Sequence, residues 1–232
     1  MTYKAYGGTW GCPFTNNMLP FEDYSVFLIS GQSQSGKTSW IQKLCRHSKE
    51  MFNTPVDTIL FYNKQFEPGF ASLQQDVGNI TFSPNLPNEE QLADSLQHSK
   101  HGLVIIDDAL QDISSNPICQ ELATRLAHHL KTSVVFSTQS SQLPGKNGPF
   151  IARNIHNAII MTSANQSYYL RNLGVQLGQY KELKEIYNSI SQGGPYSYLC
   201  ICCHPLRPSQ YRFCTSVFPG EATTIYKARD QT

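Results

Sequence analysis

The segment Gly31-Gln32-Ser33-Gln34-Ser35-Gly36-Lys37-Thr38 matches the pattern G-x-x-x-x-G-K-[ST]. A polyphosphate needs several backbone N–H donors converging on it. Glycines let a loop turn tightly enough to present them, and the positive dipole end of a following helix adds to the field. In such a loop Gly31 to Ser39 cradle the phosphates, Lys37 reaches the β- and γ-phosphates and the Thr38 hydroxyl ligates Mg²⁺. ATP and Mg²⁺ are therefore the expected ligands.

Two further stretches end an apolar run in groups that could act on a phosphate. Leu103 to Ile106 leads into Asp107 and Asp108, as a strand does where it leaves the carboxyl edge of an open sheet. Asp107 is expected to hold Mg²⁺, directly or through water, and Asp108 to orient or deprotonate an attacking water. A strand capped by an Asx turn would look the same in isolation. Ser133 to Ser137 is followed by Thr138 and Gln139. Gln139 is placed to hydrogen-bond that water or the γ-phosphate, although a glutamine that only satisfies exposed backbone reads alike.

These groups need a sheet to position them. From Ser25 the chain repeats a short apolar run, a polar turn and a helical segment. The runs are Val26 to Ile29, Thr58 to Tyr62, Asn79 to Phe82, Leu103 to Ile106, Ser133 to Ser137 and Ala158 to Met161. Each is too short for a helix and suits a strand buried on both faces. Asn88 before Glu89, Glu90 and Gln91 reads as a helix cap, and Ile118, Leu122, Leu126 and Leu130 form a stripe of four-residue steps. Strands alternating with helices predict an α/β fold with a mostly parallel sheet flanked by helices. Beyond Asn165, helical segments near Tyr168 to Leu173 and Gln179 to Ile190 precede Tyr196 to His204 and Tyr211 to Val217, which predict a C-terminal β-hairpin. Residues 1–24 read as an irregular lead-in, 25–220 as the phosphate-binding domain and 221–232 as a tail.

Composition narrows the partners. Of 232 residues, 40% are hydrophobic and 11% aromatic, which excludes a disordered chain. Eighteen basic against 17 acidic residues give a net charge of +1. No global field points to nucleic acid, so any such contact must be local or repeated by oligomerisation. No apolar run approaches the roughly 18 residues of a membrane span, and the first residues lack a secretory layout. The expectation is a soluble intracellular protein without a membrane partner. Seven unevenly spaced cysteines favour a reducing compartment. Cys200, Cys202 and His204 would share one strand face about 7 Å apart, too far for one tetrahedral ion, so they read as packing. His128 and His129 diverge on a helix and read as a helix-end feature. The stretch from Ser140 to Arg153, with Lys146, reads as a long polar loop able to touch DNA or a neighbouring subunit, or simply solvated.

Taken in order, these features resemble the viral genome-packaging branch of the HerA/FtsK ATPase superfamily. They are most similar to the packaging ATPases of Maverick/Polinton elements, virophages and related DNA viruses, including the poxvirus-type enzymes. The likeness rests on Ile29 to Thr38, on Ile59 to Tyr62 with Phe66-Glu67-Pro68, on Ile80 to Phe82 with Leu86-Pro87, and on Leu103 to Asp108. It rests above all on Thr124-Arg125, His128-His129, Ser133 to Val135, Thr138-Gln139 and Gly145-Lys146; Pro195 to Leu199 and Phe218-Pro219-Gly220 resemble the family's terminal hairpin. Ser140 stands where relatives often have Asn, and Cys200, Cys202 and Cys203 where they often have aliphatic or acidic residues.

The resemblance implies a P-loop NTPase of the ASCE/RecA-like type. It further implies a homo-oligomeric ring, a pentamer or hexamer, that hydrolyses ATP to drive double-stranded DNA into a capsid at sites of virion assembly in the host cytoplasm or nucleus. A capsid component is a possible further partner. It also implies an arginine finger supplied by a neighbour, with Arg125 the first candidate and Arg153 the second. A P-loop nucleotide kinase and a non-catalytic nucleotide-gated scaffold are the alternative functions.

Overall fold

The computed structural model describes residues 4–7, 20–65, 68–163 and 167–227. Phe66-Glu67, Asn165, most of the head and the last five residues lie outside the described residues. In chain order the elements are β1 (Lys4–Gly7), β2 (Val26–Ser30), α1 (Lys37–Arg46), β3 (Thr58–Tyr62), α2 (Pro68–Val77), β4 (Ile80–Ser83) and α3 (Glu89–Leu96). Then come β5 (Gly102–Ile106), α4 (Leu110–Ser115), α5 (Pro117–Glu121), a π-helical turn (Leu122–Leu126), α6 (Ala127–His129), β6 (Thr132–Thr138) and α7 (Gly148–Arg153). The last are β7 (Asn157–Met161), α8 (Ser167–Gln176), α9 (Tyr180–Ser191), β8 (Tyr198–Cys202), β9 (Phe213–Thr215) and β10 (Thr224–Lys227).

One sheet of ten strands runs in the order β1-β10-β9-β8-β7-β2-β6-β5-β3-β4. The six strands from β7 to β4 are parallel, and β8, β9, β10 and β1 continue antiparallel. All six expected apolar runs are strands of the parallel part. β6 lies between β2 and β5, as in P-loop NTPases with a strand inserted between the phosphate loop and the acidic strand. Both faces are covered, and side chains alternate between them as the pleat requires. Phe27 and Ile29 of β2 and Leu103 and Ile105 of β5 meet Trp40, Ile41 and Leu44 of α1 with Phe70 and Leu73 of α2. Val26, Leu28, Val104 and Ile106 meet Leu92, Ile113, Ile118, Leu122 and Leu126 on the other side. Each fully buried side chain of this size contributes roughly 1.5–3 kcal/mol relative to exposure, so these alternating sets fix strand register.

α3 begins where its cap residue predicts. Asn88 Oδ1 accepts from Gln91 N at 2.8 Å and Gln91 Oε1 accepts from Asn88 N at 2.9 Å, closing a capping box. Among the described residues no helix is long and apolar enough to cross a membrane.

Three local readings change. The four-residue stripe from Ile118 does not run as one regular α-helix, because the π-helical turn intervenes and carries Arg125. A π turn widens the hydrogen-bonded ring, so Leu122, Ala123 and Leu126 all face the core while Leu130 is left half-buried. The stretch from Ser140 to Arg153 is not a solvated loop throughout, since its second half is α7. Buried Asn147 donates to Ile113 O at 3.2 Å and Asn116 O at 2.8 Å, anchoring it to α4 and α5. The head, read as irregular, contributes the strand β1, which pairs with β10 from Lys4↔Lys227 to Gly7↔Thr224.

Candidate nucleotide site

The loop between β2 and α1 is held in a shape that depends on its two glycines. A Cβ on Gly31 would fall 2.5 Å from Ser35 Oγ and 2.6 Å from Met161 Cβ. Gly36 caps α1 at φ +99°, in the left-handed region that glycine enters without strain. Gly31 N donates to Thr138 O at 3.3 Å, joining the loop to the end of β6. Lys37 is buried, and its ammonium donates to Gly31 O at 2.8 Å and Gln32 O at 2.9 Å, so it spans the mouth of the loop. Burial pulls its pKa down, and the carboxylates of Asp108 and Asp107 oppose that shift.

Strand ends bring the remaining groups to the same place. Lys37, Thr38, Asp107, Asp108 and Gln139 all line one cavity of about 580 Å³ at the carboxyl edge of the parallel strands. Ser33, Gln34, Gly36 and Ser39 line it too. Asp107 is buried, and Asn63 Nδ2 approaches its Oδ2 at 3.4 Å. Asp108 is exposed and has φ +50°, a left-handed conformation that turns its carboxylate out of the strand direction. Gln139 Nε2 donates to Asp108 Oδ1 at 3.3 Å. The donor set fits Mg²⁺, because a threonine hydroxyl and a carboxylate supply the hard oxygen ligands it takes.

Arg125 stands apart in its own chain. It does not line the cavity. Its guanidinium bonds Glu89 at 2.9 Å and Glu121 at 3.1 Å on the exposed surface, and those carboxylates raise its already high pKa. Arg153, exposed at the end of α7, is likewise outside the cavity lining.

Four lining residues escaped the sequence reading: Asn63, Lys64, Gln65 and Tyr196. Asn63 to Gln65 follow β3, so the strand-end rule that found Asp107 reaches them as well. Tyr196 is 67% exposed at φ +66°, and its ring lies 3.0 Å from where a Cβ on Gly36 would sit. No spacing in the sequence marks it, because β7 and β8 bring it to the loop.

The reading of the C-terminal cysteines also changes. Cys200 and Cys202 have their sulfurs 3.7 Å apart, and Cys214 of β9, in register opposite Cys200, completes a group whose sulfurs all lie within 4.8 Å of one another. The 7 Å repeat measures backbone along a strand, whereas side-chain rotation and strand twist let the sulfurs converge. His204 stays outside the group, with Nδ1 accepting from Leu206 N at 3.2 Å.

Known structures share this architecture. The DNA-packaging ATPase B204 from Sulfolobus turreted icosahedral virus aligns over 91% of this chain and 100% of its own, with 14% identity and a TM-score of 0.51. The genome packaging NTPase B204 from Sulfolobus turreted icosahedral virus 2, in complex with AMP, aligns over 77% and 92%, with 14% identity and a TM-score of 0.50. No family model matches the chain, and none of the curated proteins does. The chain has the α/β fold of P-loop NTPases.

Proposed function

We propose that the protein is an ATP-hydrolysing motor of the HerA/FtsK type that moves double-stranded DNA, packaging a viral or virus-like genome into a capsid. The observation that carries this reading is the meeting of Lys37, Thr38, Asp107, Asp108 and Gln139 around one cavity large enough for a nucleoside triphosphate. The loop from Gly31 to Ser39 would hold the phosphates, with the Lys37 ammonium against the β- and γ-oxygens. Thr38 and Asp107 would hold Mg²⁺, which when bound helps neutralise charge on those oxygens. Asp108 accepts the proton of the attacking water, and Gln139, tethered to it, orients that water and registers loss of the γ-phosphate.

DNA as the track is supported by the fold shared with a DNA-packaging ATPase and by the block from Arg125 through His128-His129 to Gln139. With a net charge of only +1, one subunit offers few phosphate contacts. A ring of five or six copies would multiply those made by Lys146 and the segment around it, giving binding that is salt-sensitive and indifferent to sequence. The ring would also let Arg125, or failing it Arg153, act on a neighbour's nucleotide once released from its own carboxylates. The test is ATP hydrolysis with and without double-stranded DNA, alongside the particle mass. Stimulation by DNA in a ring-sized assembly is expected; a monomer indifferent to DNA overturns the motor.

A further inference from the structure

Cys200, Cys202 and Cys214 are buried thiols on one face of the sheet, contributed by two antiparallel strands. Cys200 lies opposite Cys214, and Cys202 is two residues further along on the same side. Four zinc–sulfur bonds of about 2.3 Å arranged tetrahedrally place neighbouring sulfurs about 3.8 Å apart, and Cys200 and Cys202 stand at 3.7 Å. None of the three is in a disulfide.

We propose that Cys200, Cys202 and Cys214 form a three-thiolate site for one zinc ion, fastening β8 to β9.

Two neighbouring features point the same way. A cavity of about 20 Å³ opens against Cys202 and Cys214, room for about one water-sized ligand at the fourth position. Arg207 lines that cavity, and its Nε is buried without a hydrogen-bond partner. Three thiolates around a divalent ion carry one net negative charge, and the Arg207 guanidinium is placed to balance it. Packing alone explains why the thiols are buried. It does not explain the convergence of three sulfurs beside a half-buried guanidinium whose Nη2 donates to Pro20 O while its Nε is left without a partner. Each sulfur gives up its proton on coordination, so zinc affinity rises with pH.

The site is independent of the nucleotide pocket, and its test does not require activity. The full chain, purified with reductant and desalted, should retain about one zinc per chain by elemental analysis. Cys202→Ser should weaken zinc retention at least tenfold, whereas Cys119→Ser, a buried cysteine outside the group, should leave it unchanged. If the serine variant fails to fold, cobalt(II) added to the metal-stripped wild-type chain should give the intense near-ultraviolet band of thiolate-to-metal charge transfer. A wild-type chain that retains no zinc and shows no such band overturns the site. So does a Cys200–Cys214 disulfide found in the reductant-purified protein.

Discussion

Gln139 and Asp108, at the ends of adjacent strands and 31 positions apart in sequence, are joined by a hydrogen bond of 3.3 Å. The amide thus fixes the carboxylate expected to receive the water proton. Asp108→Asn removes the base while keeping the shape, and hydrolysis should fall by roughly 10²–10⁴ with nucleotide affinity nearly unchanged. Gln139→Ala should lower the rate less, and the double variant should lose less than the product of the two single losses, because the residues act as a unit. Steady-state hydrolysis and equilibrium nucleotide binding measure both; additive losses would show that the contact plays no part in the reaction.

Lys37→Ala should abolish tight nucleotide binding and lower the melting temperature while leaving the chain folded. The ammonium makes two charge-assisted bonds to loop carbonyls, each worth about 1.5–3 kcal/mol, and is the cation nearest the expected phosphates. Calorimetric titration with a nonhydrolysable ATP analogue reads the loss, and a circular dichroism melt reads the fold.

Gly36→Ala is expected to destabilise the protein by roughly 1–2 kcal/mol through its left-handed backbone alone. Its Cβ would also press on the Tyr196 ring at 3.0 Å and on Met161 Cε at 3.2 Å. Adding Tyr196→Ala should recover the part due to the ring and leave the Met161 contact and the backbone part, as a denaturant midpoint comparison would show.

Acid sensitivity should arise at the opposite edge of the sheet. His156 Nδ1 accepts from Val26 N at 3.0 Å, and its ring packs on His204 with centroids 4.7 Å apart. Burial, with His204 and His128 adding, lowers its pKa from 6.5 to about 4. The unfolded chain therefore takes up a proton that the folded chain refuses between those values. Stability should be flat above about pH 6.5, decline as the pH falls toward about 4 and level off below. His156→Asn keeps an acceptor for Val26 N–H and should flatten that part of the curve in denaturant titrations at several pH values.

The parallel strands were legible because burial on both faces leaves continuous apolar runs such as Leu103 to Ile106, and their carboxyl ends pointed to Asp107, Asp108 and Gln139. The short edge strand Lys4–Gly7 and its neighbour Thr224–Lys227 carry no such run, because four residues are too few to set up a readable pattern. The π-helical turn is invisible to a four-residue repeat, which fits an ordinary helix equally well. Tyr196 and the converging sulfurs arise from contacts between strands, about which spacing along one strand says nothing.

The bond from Gly31 N to Thr138 O ties the phosphate loop to the residue before Gln139. If Gln139 recoils when the terminal phosphate departs, it pulls against a loop tied to its own strand end. In the proposed motor the stroke would then travel forward, through Ser140 and the segment ending at Asn147, into the helix that carries Arg153.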